Sequence, residues 1–167
     1  VWILGSSTYG AQVAAHLGLP YAFASHFAPQ MLMQAIDIYR ATFRPSAQLE
    51  RPYVMAGFNV FAADDDATAH LLASSWQQAF VNLRSGRPGE LPPPVPDYRQ
   101  RLGAAENALL DSVLACTAIG TRDAVKDALE CFVARTAVDE IIVAGGIFDH
   151  AARLRSYAIA AEAMQLG

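Results

Sequence analysis

The sequence predicts an α/β protein with parallel strands, and three observations carry that prediction. Strand-type apolar runs alternate with helical patterns along the chain. The runs are apolar or small throughout, as in strands buried on both faces of a sheet. The 167 residues are 53% hydrophobic, which supplies a core for one domain. Four successive strand–helix units fit either an open, flavodoxin-like sheet or half of a (β/α)8 barrel. A four-stranded sheet is small for this length, and the chain opens inside a strand with no initiator Met. Both points favour the half-barrel and more chain upstream.

The opening run, Val1 to Leu4, is of strand type and breaks at Gly5 into Ser6, Ser7 and Thr8. A short helix, Ala11 to Leu17, follows, with Ala11, Ala14 and Ala15 inward and Val13 and Leu17 as further inward candidates, Gly18 as its C-cap and Pro20 as a block. The second strand is YAFASHF, residues 21 to 27. Pro29 then opens a helix in which Leu32, Ala35, Ile36, Tyr39 and Phe43 recur at helical spacing up to Arg44-Pro45. A third strand spans about residues 52 to 63. Asp64, Asp65 and Asp66 follow it, and Asp64 or Asp65 suits the N-cap of a long helix to about Leu83. Carboxylates at a helix start are stabilised by the helix dipole, so the triplet needs no metal to explain it. The stripe expected to face inward is Leu72, Trp76, Ala79, Phe80 and Leu83.

Residues 85 to 97, SGRPGELPPPVPD, form a stiff, extended connection, read as a surface cover with a ligand for a Pro-binding domain as the alternative. Two helices are predicted next, the first from about Tyr98 or Ala104 to Cys116 with Leu109, Ser112, Val113 and Cys116 inward, and the second from about Arg122 to Arg135 with Val125, Leu129, Phe132 and Val133 inward. Ile119-Gly120-Thr121 is their junction, where the glycine ends one helix and the threonine caps the next. The last strand is Glu140 to Ile147. The closing helix, Asp149 to Gln165, is capped by Asp149 and is expected to bury Leu154, Tyr157, Ala158, Ala161 and Met164. Residues 1–167 read as a single domain portion, with the Pro-rich connection and extra helices contained in 64–135.

Composition excludes several classes. A net charge of −4 with scattered Lys and Arg leaves no basic face for nucleic acid. Apolar runs such as IIVAGGIF are far shorter than the roughly 20 residues a spanning helix needs, so no membrane segment is expected. Cys116 and Cys131 lack metal or CxxC spacing and fit a reduced, cytoplasmic protein. Asp139, Glu140 and His150 match no ligand pattern, and no metal is assigned.

The strand–turn–helix at the start points backbone N–H groups and the positive end of a helix dipole at one spot, with serine hydroxyls as further donors. An anion such as phosphate suits it, although Ser and Thr are equally ordinary N-caps. Gly145-Gly146, at the end of the last strand, is a second place where a (β/α)8 enzyme would hold phosphate.

Together, WILGSSTYGAQVAAHLGLPYAFASHFAP, YRATFRPS, PYVMAGFNVFAADDD, LPPPV, IGTRDAVKDALECF and DEIIVAGGIFDHAARLRSYAIAAE resemble the bacterial luciferase-like, flavin-dependent monooxygenases, in that family's order. The resemblance implies a (β/α)8 barrel of which this chain covers about strands five to eight, the C-terminal half. It implies FMN in its reduced form, supplied by a separate reductase, and oxidation of a small organic substrate by dioxygen. The turn after the first strand here would hold the flavin 5′-phosphate through Gly5, Ser6, Ser7, Tyr9 and Gly10. Relatives usually carry Ser where this chain has Gly10. His26, at the rim that faces the flavin ring, is the catalytic candidate, through a hydrogen bond or proton transfer; a histidine merely fixed to backbone at a strand end is the competing reading. Gly145 is left as a possible ring-lining position.

A deazaflavin (F420)-dependent hydride-transfer relative, a non-catalytic flavin-binding protein on the same fold, and a sugar-phosphate enzyme of the barrel class are the alternatives. A half-barrel exposes strand edges and apolar surface. Self-association as a homo-oligomer, or pairing with the missing N-terminal half, is therefore expected.

Overall fold

The computed structural model describes residues 1–165. They divide into two compact units, each built around part of one long strand.

The first unit comprises Val1–Phe58, Val113–Cys116 and Cys131–Val143. Strand β1 (Ile3–Gly5) leads into helix α1 (Thr8–Leu17), strand β2 (Tyr21–Phe23), a 3-10 turn (Pro29–Met31) and helix α2 (Leu32–Thr42). The next strand, β3 (Val54–Ala62), begins in this unit. β1, β2 and β3 pair in parallel, with Gly5 opposite Phe23 and Phe23 opposite Ala56. Continuous apolar composition is thus explained: β2 and β3 are paired and packed, and Tyr21, Phe23, Val54 and Ala56 are essentially inaccessible. Ala11, Ala14 and Ala15 are the buried face of α1, as the sequence predicts. Small side chains there let the helix lie close to the sheet. Gly18 ends α1 in the left-handed conformation, φ 63°, and a Cβ on it would lie 2.5 Å from the Arg44 carbonyl oxygen. Leu32, Ala35, Ile36 and Tyr39 form the buried stripe of α2. Strand β5 (Glu140–Ala144) pairs with β3, where Val54 N donates to the Asp139 carboxylate (2.8 Å) and Asp139 N to the Val54 carbonyl (2.9 Å).

The second unit comprises Asn59–Ser112, Thr117–Glu130 and the chain from Ala144. Here the C-terminal half of β3 pairs in parallel with β4 (Thr117–Gly120), Asn59 opposite Thr117 and Ala62 opposite Gly120. Helix α3 (Asp66–Arg84) starts at Asp65, whose carboxylate accepts from Thr68 N at 2.8 Å, so the acidic triplet is a helix start as expected. Phe61, Ala73 and Ile147 form a core with Leu72, Trp76, Ile119 and Ala152 packed on it. The Pro-rich connection has no regular structure from Gly86 to Pro96 except at its pinned end: Gln78 donates to the Pro93 carbonyl and Val95 N to Ser74 Oγ. Along the chain, helices α4 (Ala104–Val113) and α5 (Arg122–Thr136) precede and follow β4, and α6 (His150–Ala163) is capped by Asp149, which accepts from Ala152 N at 2.7 Å.

Three expectations are corrected. The junction at Ile119-Gly120-Thr121 is not helix to helix: residues Thr117–Gly120 are a strand, because β3 is long enough to pair with a second partner beyond the point where β2 ends. Leu17, Leu83 and Ser112, all expected to face inward, are exposed because each lies on the solvent side of its helix. The inward face of α6 is Ser156, Ile159, Ala160 and Ala163, while Leu154 is 55% exposed. Ser156 turns that face inward, since its buried hydroxyl accepts from Ala62 N at 2.9 Å.

Candidate functional site

The parallel registers put Gly5, Phe23 and Ala56 level across β1, β2 and β3, so the turns after β1 and β2 leave the sheet at the same end. Two of the sequence candidates lie there, both in the first unit.

The turn after β1 is the first. Ser7 is the N-cap of α1 in extended conformation (φ −146°, ψ 167°), yet its side chain makes no capping hydrogen bond. Its carbonyl oxygen accepts from the Tyr21 hydroxyl at 3.0 Å, which fixes the turn from below. No acidic residue stands in the first turn of α1, so nothing there repels an anion. Ser6, Ser7 and Tyr9 are exposed. Beneath them α1 touches the strand: a Cβ on Gly10 would lie 3.4 Å from both Gly5 Cα and Tyr21 Cε2. These are limiting contact distances, so a side chain at position 10 is admitted with little adjustment and the absence of serine there is not forced by packing. A spare hydroxyl, a dipole end without a carboxylate and a glycine-lined contact form a donor set that fits a phosphate monoester.

His26 is the second. It lies three residues beyond β2, in the turn that leads to the 3-10 segment, rather than within the strand as read from sequence. Its ring lies on the backbone of β3 at Gly57. A Cβ there would be 2.0 Å from Nδ1, 2.7 Å from Cε1 and 3.1 Å from Cγ. Nδ1 is buried, and burial holds the imidazole below its ordinary titration range, so the neutral form is favoured. Beside it, fully buried Ser25 donates to the Gly57 carbonyl at 2.6 Å. Neither Ser25 nor Gly57 was a candidate by sequence. A serine inside an apolar run and a glycine in a strand interior are the only signals for them.

The other sequence candidates are structural. A Cβ on Gly145 would meet the Val60 carbonyl oxygen at 2.7 Å, and one on Gly146 the Trp76 ring at 2.8 Å, so these glycines permit close packing in the second unit. No group of three or more His, Cys, Asp or Glu side chains able to hold a metal exists among the described residues. Cys116 is a buried free thiol, its titration pushed up by burial, and Cys131 is free and exposed.

A sequence profile for a family described as "Luciferase-like monooxygenase" matches residues 1–140. The chain belongs to the luciferase-like monooxygenase family. A protein of Escherichia coli K12 named "Luciferase-like monooxygenase" is 49% identical over 160 residues, covering 96% of this chain and 48% of that protein. "Uncharacterized protein YvbT" of Bacillus subtilis is 43% identical over 162 residues, covering 97% of this chain and 48% of that protein. This luciferase-like chain thus spans about half the length of these relatives. Among solved structures, apo-MsnO8 superposes with a TM-score of 0.82 at 32% identity, covering 99% of this chain and 51% of that one. The long-chain alkane monooxygenase LadA, with a TM-score of 0.60 at 14% identity over 98% of this chain and 40% of that one, shares the fold. No helix among the described residues is long and apolar enough to cross a membrane.

Proposed function

We propose that this luciferase-like chain is the C-terminal half, about strands five to eight, of a (β/α)8 FMN-dependent monooxygenase that oxidises a small organic substrate with dioxygen. The observation that carries the flavin reading is the N-terminus of α1, where the Ser7 hydroxyl is left unused by the helix it caps and no carboxylate occupies the first turn. Ser6, Ser7 and the backbone of Tyr9 and Gly10 hold the phosphate of FMN there, and Gly5 lets the strand end approach it. Reduced flavin supplies the electrons for dioxygen activation when bound. His26 sits at the same edge of the sheet, neutral, with an imidazole suited to accept or hold a proton at a ring nitrogen.

The partner we propose is the other half of the barrel. Strand β1 has a partner, β2, along one edge only among the described residues, and Val1 and Leu4 are 83% and 73% exposed. An unpaired edge of apolar residues is completed by pairing or by self-association. A cytoplasmic location with a separate reductase fits the free thiols.

The test is direct titration of the full protein with FMN, followed by quenching of flavin fluorescence, with inorganic phosphate as competitor. Saturable quenching that phosphate relieves is the expected result. A folded full protein that leaves FMN fluorescence unchanged refutes the reading. Selective binding of a deazaflavin instead would move the protein to the hydride-transferring branch.

A further inference from the structure

His26 is held by a seat that the sequence does not announce. Two residues of the turn after β2 contact one residue of β3: the Ser25 hydroxyl donates to the Gly57 carbonyl at 2.6 Å, and the His26 ring lies against the Gly57 α-carbon. The ring atoms nearest a Cβ at position 57 are Nδ1 and Cε1, at 2.0 and 2.7 Å, so no residue with a side chain coexists with this ring position. Nδ1 lies in the seat, and the Nε2–Cδ2 side of the ring is the one farther from Gly57. Ser25 is 0% exposed, so its bond to the strand is shielded from competing water and tethers the turn that carries His26.

We propose that Gly57 and Ser25 are positioning residues for His26, fixing which edge of the imidazole is presented at the C-terminal ends of the strands. The assignment of that edge to a flavin site rests on the function proposed above. The seating itself does not.

The two are separated by a measurement that needs no cofactor. Deuterium exchange at the His26 Cε1–H, read by mass spectrometry across a pH series in the full protein, reports both the packing of that edge and the titration of the ring. In the parent protein exchange is expected to be slow and to titrate below the ordinary histidine value of about 6.5. Gly57→Ala is expected to accelerate it several-fold and raise the midpoint towards that value, because the added methyl lifts the ring out of its seat. Ser25→Ala, which adds no atom, is expected to move both in the same direction by less. Circular dichroism establishes that each variant is folded. A folded Gly57→Ala with unchanged exchange and midpoint overturns the proposal. If Gly57→Ala does not fold, Ser25→Ala decides, and an unchanged His26 in it overturns the proposal equally. Failure of the full protein to bind FMN would refute the flavin reading while leaving this result intact.

Discussion

Replacing Ser7 by alanine separates two roles that a serine at a helix start can play. An N-cap serine normally accepts a hydrogen bond from the second or third backbone N–H of its helix, and its loss costs about 1 kcal/mol. In a domain of this size that lowers the thermal midpoint by about 2–4 °C. The Ser7 hydroxyl makes no such bond. Its removal is therefore expected to cost no more than a few tenths of a kcal/mol, a shift under about 1 °C. If the hydroxyl instead donates to a phosphate, a charge-assisted hydrogen bond of about 1.5–3 kcal/mol is lost on binding. FMN affinity then falls about ten- to a hundredfold. The assay is a pair of measurements on Ser7→Ala in the full protein: thermal unfolding without flavin, and flavin fluorescence titration. A midpoint lowered by the ordinary cap amount with unchanged FMN affinity would show that Ser7 is only a cap, and would refute the phosphate assignment.

Asp149→Ala is the matching control, because Asp149 does cap α6 through Ala152 N, and it should cost about 1 kcal/mol in urea unfolding with FMN affinity unchanged. Gly18→Ala should cost about 2 kcal/mol or more by the same measurement, since the left-handed conformation and the 2.5 Å approach to the Arg44 carbonyl oxygen both oppose a side chain. The folded-state pKa of His26 lies below its unfolded value, so the unfolded chain takes up the proton first as pH falls. The stability tied to His26 is therefore complete above about pH 6.5 and is lost as the pH drops from there towards the lower folded value. Urea unfolding of the parent and of His26→Asn between pH 7.5 and 5.5 should show that decline in the parent beyond whatever the variant shows, and parallel curves would contradict it.

What could be read from the sequence follows from how local each signal is. The burial stripes of α1 and α2 were legible because spacing alone produces them, and Asp65, Asp149 and Gly18 were legible because capping is a matter of a few adjacent residues. Strand β4 was not, because four residues carry too short a pattern and its identity comes from a partner some 58 positions earlier, Asn59 opposite Thr117. The face of α6 was misread for a related reason. A serine is counted as outward by composition, and only the strand it bonds makes Ser156 an inward residue. At the site, the serine turn was visible as a donor-rich helix start, but whether Ser7 spends its hydroxyl on the helix is a question of geometry. His26 was visible as a histidine at a strand end. The glycine and serine that seat it lie apart from it in character or in sequence and signal nothing by themselves.

The contact between Gly5 and Gly10 bears on how such a site drifts over evolutionary time. Where the first turn of α1 meets the end of β1, the two backbones touch with no side chain between them. The location of any anion held there is consequently set by main-chain geometry rather than by rotamers. Substitutions among the surrounding hydroxyls would then act like a dimmer on affinity while leaving the address of the ligand unchanged. Either a serine or a glycine at position 10 would then tune the grip without relocating the chemistry that depends on it.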